Sequence, residues 1–192
     1  MVVTPWLFWY LNSNMKNSLF FILLVSTFVS AQQLRVDTNS SYITYEASHA
    51  IHDWSGTSKE VQGVVVVNEM NVPTRMAFTA PVYSFDSKNS NRDAHALEVL
   101  EALLFPKVSF YSDDISINDN VLTLSGSLQF HGVSIPLQTT ASWVRVKDFW
   151  VLQGTFDIQP SSFGITLPSF MLVKMRDAIQ LSFRMELRTF TP

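Results

Sequence analysis

Four histidines and no cysteine limit the metal and nucleophile chemistry open to this chain of 192 residues. His49 and His52 stand close together, and His95 or His131 could add a third ligand to a metal ion. That spacing is loose, and a strand end does not aim both rings at one point. Polar turn and rim contacts suit these residues better, so no metal is expected. His131 precedes Gly132 at a hairpin signal, where a structural hydrogen bond is the natural role. Asp113 and Asp114 are adjacent and would face opposite sides of a strand, which does not make a catalytic carboxylate pair. Arg92 and Asp93 read as a brace at a helix start rather than an acid–base pair. No Gly-x-Ser-x-Gly, phosphate loop or His-Glu-x-x-His occurs. No catalytic residue and no cofactor is nominated, and binding is favoured over catalysis.

The elements that would position these residues are mostly strands. One stretch, Ser90 to Phe105, reads as a helix: Leu97, Leu100, Leu103 and Leu104 recur at helical spacing as an apolar stripe. Ser90 with Asp93 predicts a capping box, Asp93 suits the positive end of the helix dipole, and Pro106 predicts the stop. A single short amphipathic helix among strands covers an open end or edge, either as plain core packing or as a lid.

On both sides of it the apolar residues alternate. Segments at 42–49, 61–68, 76–82, 108–117, 122–130, 135–146, 150–158 and 179–187 read as strands. The last is the clearest, with Ile179, Leu181, Phe183, Met185 and Leu187 inward and Gln180, Ser182, Arg184, Glu186 and Arg188 outward. A change of phase at Val144 and Val146 predicts a bulge near Ser142. Residues 160–174 read as a long connection. The expected fold is all-β: about eight antiparallel strands in a lipocalin-like barrel with one short amphipathic helix. A two-sheet sandwich is the alternative from the pattern alone.

Lys16, the apolar run Leu19–Val29 and the small residues Val29-Ser-Ala31 have the layout of a signal peptide. Residues 1–31 are read as this leader, with Met15 as a second candidate start, and residues 32–192 as one domain. The run is too short for a membrane-spanning helix, which needs about 20 residues. Removing the leader leaves a net charge of about −4, and no basic run of nucleic-acid type is present. The expected location is periplasmic or secreted after cleavage near Ala31.

Three segments together resemble the YceI-like family, secreted barrels that bind polyisoprenoid-type lipids. Arg92-Asp93-Ala-His95, followed by Phe105-Pro106 through Phe110, is similar to the family's helix-start segment. Gly126-Ser-Leu128-Gln-Phe-His131-Gly132-Val133-Ser-Ile-Pro136 is similar to its Gly-x-Leu-x-x-His-Gly-Val-x-x-Pro hairpin. Gly154-Thr-Phe156-Asp-Ile158 to Phe163-Gly164-Ile165 is similar to its closing motif. The chain departs from the family in a shorter helix-to-proline spacing, in Pro160 where Arg is usual, and in Ser162 where Asp is usual. The first loop, Ser48 to Gly56, looks like a subgroup variant.

The resemblance implies a hydrophobic lipid carried inside the barrel, with transient membrane contact and a dimer both open. The inward faces then nominate an apolar channel: Phe78, Val82, Phe110, Leu124 and Leu128, continued by Ala141, Trp143, Phe156, Phe163, Phe183 and Met185. Arg92, His95 and His131 are the candidate polar contacts at the rim. Periodicity alone leaves two other readings open, a structural or stress-related barrel with a filled core and a histidine-based metal or haem protein.

Overall fold

Alternation along each strand gives the wall an inner and an outer face in the computed structural model, which describes residues 32–50, 52–170 and 173–189, Phe170 through its backbone alone. The predicted leader lies outside the described residues. β1 (Gln32–Val36), β2 (Tyr42–Ser48), β3 (Asp53–Ser58), β4 (Gln62–Val67) and β5 (Pro73–Pro81) precede the helix α1 (Ser90–Val99). After it come β6 (Lys107–Asn118), β7 (Val121–Phe130), β8 (Val133–Val146) and β9 (Phe149–Ile158). The short β10 (Ser169–Phe170) and β11 (Val173–Lys174) pair with each other before β12 (Ile179–Thr189). Neighbours run β1-β4-β5-β6-β7-β8-β9-β12, and β12 returns to β1, so eight antiparallel strands close into a barrel.

β12 shows how closure works. One side pairs with β9 from Ile179 to Leu187. The other side pairs with β2 from Ile179 to Arg184 and with β1 from Leu187 to Thr189. β1 and β2 are thus two halves of one wall segment, separated by a kink. β3 and β4 stand in the same relation beyond them. The sequence pattern did not mark β1 or β3 as strands. β3 (Asp-Trp-Ser-Gly-Thr-Ser) is too polar to alternate clearly, and pairing with β2 recruits it.

Three local expectations are corrected. β8 runs through Ser142 with no shift of register, and the irregularities fall instead at Val66/Val67 and Ser112/Asp114. Val144 and Val146 are outward-facing valines, about two-fifths exposed, and need no bulge to explain them. The outer face of β12 is also less bare than alternation implies. Glu186 is buried beneath the β1–β2 kink, where its N–H donates to Ser41 Oγ (2.9 Å) and its carboxylate accepts from Arg184 (2.6 Å).

The helix begins and ends differently from its sequence signals. Asn89, not Ser90, is the cap: its side-chain oxygen accepts the Arg92 N–H at 3.1 Å. Asp93 reaches back to accept the Ser87 N–H. At the other end the chain leaves the helix after Val99. Glu101 takes a left-handed conformation (φ 45°), with Glu101 N–H donating to Glu98 O and Ala102 N–H to Leu97 O, both at 3.0 Å. That is the Schellman arrangement, and it ends the helix at Val99, well before Pro106. Leu103 and Leu104 therefore drop out of the stripe and face solvent.

Candidate functional site

The barrel has a filled half and a hollow half. Towards the β4–β5, β6–β7 and β8–β9 hairpins the inward residues interlock. Leu34, Val65, Val67, Leu122, Leu152 and Leu187 are each at most 1% exposed. Trp143 stacks on Trp150 there, with ring centres 4.7 Å apart, and its Nε1–H donates to Asn71 O at 3.2 Å. Towards the α1 end the same inward faces carry Phe110, Phe130, Phe156, Leu181 and Phe183, yet these are only half-buried. Complete burial fails because they border a cavity of about 260 Å³. α1 lines that end through Arg92, Ala96 and Val99.

Glycines keep the cavity open. A Cβ on Gly56 would lie 2.5 Å from the Tyr45 ring, and one on Gly154 would lie 2.9 Å from the Phe183 ring. Gly63 and Gly126 stand in the same relation to Phe78 and Phe110. Each ring lies along the wall in the space a neighbouring side chain would take, so it does not project into the lumen. Gly56 gives the cleanest test, because the three atoms nearest its Cβ position all belong to the Tyr45 side chain and none to the backbone. Gly56→Ala is expected to cost about 1–3 kcal/mol, the usual range for overpacking. In a Tyr45→Ala background the same change should be neutral or slightly stabilising. A urea-denaturation cycle reads both values, and equal effects in the two backgrounds would refute the ring-over-glycine arrangement.

Polar groups inside the wall are already engaged. Thr79 Oγ1 donates to Val108 O (3.1 Å) and lies 3.2 Å from Ser109 Oγ, and Thr139 Oγ1 donates to Thr155 O (3.1 Å). The lumen therefore presents mainly hydrocarbon to a guest. Near α1, Arg92 lies over the Trp54 ring, 5.6 Å from its centre. Burial, and after it the Asp93 carboxylate, hold the Tyr45 phenol above its usual pKa, so it remains a neutral hydroxyl at physiological pH.

The cavity brings together most of the nominated channel residues: Phe78, Val82, Phe110, Leu124, Leu128, Phe156, Phe183 and Met185 all line it. Ala141 and Trp143 do not. They are 3% and 2% exposed in the filled half, on the right face of β8 but at the wrong depth. Phe163 is buried against Leu128 and Ile165 and lines an outer groove instead. Of the rim candidates, Arg92 and His95 border the cavity. His131 does not. Its Nδ1 lies 3.0 Å from Phe163 O and its Nε2 lies 3.0 Å from the Glu101 carboxylate, against the Phe105 ring. It ties the β7–β8 turn to the end of α1. His49 is buried with Nε2 2.8 Å from Val173 O, while His52 is exposed. Among the described residues, no group of three His, Cys, Asp or Glu is placed to hold a metal. Sequence reasoning missed Tyr45, Trp54, Ile165, Leu167 and Met175 as cavity residues. The apolar residues of the 160–174 connection, which have no strand pattern to bury them, were the available signal.

The fold is an antiparallel barrel, hollow at the end that α1 lines. The chain belongs to the YceI-like domain family, whose model matches residues 34–187. Protein YceI of Salmonella newport (strain SL254) is 26% identical over 182 residues, covering 79% of this chain and 94% of its own. Among solved structures, BcnA of Burkholderia cenocepacia superposes with a TM-score of 0.72 at 17% identity, covering 79% of this chain and 98% of that one. A polyisoprenoid binding domain from Saccharophagus degradans, implicated in plant cell wall breakdown, gives 0.68 at 10% identity over 84% of this chain and all of that one. At these identities the solved structures speak for the fold.

Proposed function

We propose that this protein binds, without chemical conversion, the long hydrocarbon chain of an isoprenoid or similar amphiphilic lipid, and does so in the periplasm after its leader is removed. The observation that carries this reading is the half-exposed aromatic and aliphatic lining of the cavity at the α1 end. Such surface gains by covering itself with hydrocarbon, at about 0.8 kcal/mol per buried CH₂ group. Family membership and the fold shared with a polyisoprenoid binding domain support the choice of ligand class. The cavity weighs against a wholly filled structural barrel. The signal-peptide layout of the sequence over residues 1–31 supports export.

Mature protein titrated with a fluorescent prenyl analogue should saturate at one chain per barrel, and lipid extraction of protein from its native host should release a chain of this type. The exported form should begin at Gln32. Absence of any bound or bindable prenyl or acyl chain would remove the carrier reading, and a mature protein that retains Phe20–Val29 would remove the export reading.

A further inference from the structure

β8 and β9 part company halfway along. Their pairing runs from Val146↔Phe149 to Ala141↔Gly154 and stops. Beyond that point Val133–Thr140 pairs with β7 alone, and Thr155–Ile158 pairs with β12 alone. The wall is open there, crossed near the fork by the Thr139 Oγ1 to Thr155 O bond. Pro136 lies on the unpaired stretch of β8, and a residue without an N–H suits an edge that must not zip shut. Outside the opening lies a groove of about 990 Å³. Ala47, Trp54, Leu128, Leu137 and Ile158 line both this groove and the cavity, so the two spaces share walls. The cavity alone, at about 260 Å³, falls below the range of about 300–1,000 Å³ usual for pockets that enclose a drug-sized ligand. A long chain held there needs further room.

We infer that the groove is a second compartment of the lipid site, reached through the opening between β8 and β9: the tail lies in the barrel and the polar end of the ligand lies in the groove. This rests on the lipid-binding reading above. The turn Pro160–Phe163 borders the opening. It is held on one side by the Phe163 carbonyl to His131 and on the other by Asp177, which accepts from the Ser161 N–H (3.0 Å) and hydroxyl. The charged residues that line the groove are Glu46, Asp53, Asp157 and Arg176. Their net negative balance suits an uncharged or cationic head and disfavours a diphosphate.

The test bridges the opening. The chain has no cysteine, so in Gln138→Cys/Gln159→Cys a bifunctional thiol reagent of matched span reacts only at the two introduced thiols. Exchange of a fluorescent prenyl amine in the bridged protein should slow about tenfold or more relative to the unbridged double variant, as for a gated site. Leu137→Trp, which narrows the same passage without a cross-link, should slow it in the same direction. Unchanged exchange in both would overturn the lateral route. Tighter binding of the prenyl diphosphate than of the amine would overturn the head assignment. If the wild type binds neither probe, the lipid-binding reading itself has failed, an outcome distinct from normal binding with unhindered exchange.

Discussion

Trp143→Ala should lower folding stability by about 3–5 kcal/mol, the range for deleting a large aromatic from a packed core. The ring is 2% exposed, stacks on Trp150 and donates its indole N–H to Asn71 O. Truncation removes all three contacts in the half of the barrel with least room to relax. Phe183→Ala is the paired measurement. Phe183 faces inward on β12 but is half-buried, over Gly154 and beside the cavity. One side of its ring already lacks packing partners, so its loss should fall below the range of about 3–5 kcal/mol for a fully packed ring. Urea denaturation of the two variants compares the halves directly. Equal losses would mean that the α1 end is as full as the hairpin end, and the cavity would have to be abandoned.

Leu181→Trp is expected to weaken binding of a prenyl probe sharply. Leu181 lines the cavity between Tyr45 and Phe156 on the neighbouring strands. An indole there occupies space the chain would use. Displacing about four CH₂ groups forfeits about 3 kcal/mol, more than about 100-fold in Kd. The added ring fills a void rather than forcing packed atoms apart, so the empty variant should keep its circular dichroism and unfold no earlier than wild type. Ala141→Trp is the contrasting case: it enlarges a residue 3% exposed in the filled half and should destabilise by about 1–3 kcal/mol. A Leu181→Trp protein that binds the prenyl probe as tightly as wild type would show that the chain lies elsewhere.

These two expectations depend on depth along the barrel, which alternation does not encode. A period of two assigns Trp143 and Phe183 alike to the inner face and is silent on which end is hollow. The same limit put Ala141 among the channel residues.

By itself the sequence determined the strands with sustained alternation, the all-β class, the presence of one helix at the crossing between β5 and β6, and the motif series that marks the family. Those properties are local, or repeat along one strand, so they survive being read in one dimension. Tertiary structure alone decided the rest. The helix ends after Val99 through a left-handed Glu101 that no proline announces. The polar β3 is a strand only because β2 offers it an edge. Glycines clear the lumen because closure sets each one beside a particular ring. β8 parts from β9 beyond Ala141↔Gly154 while each keeps its other neighbour, β7 or β12, a divergence that the alternation of neither strand records. Cavity volume is what remains once eight strands close on one another, and no single strand carries it.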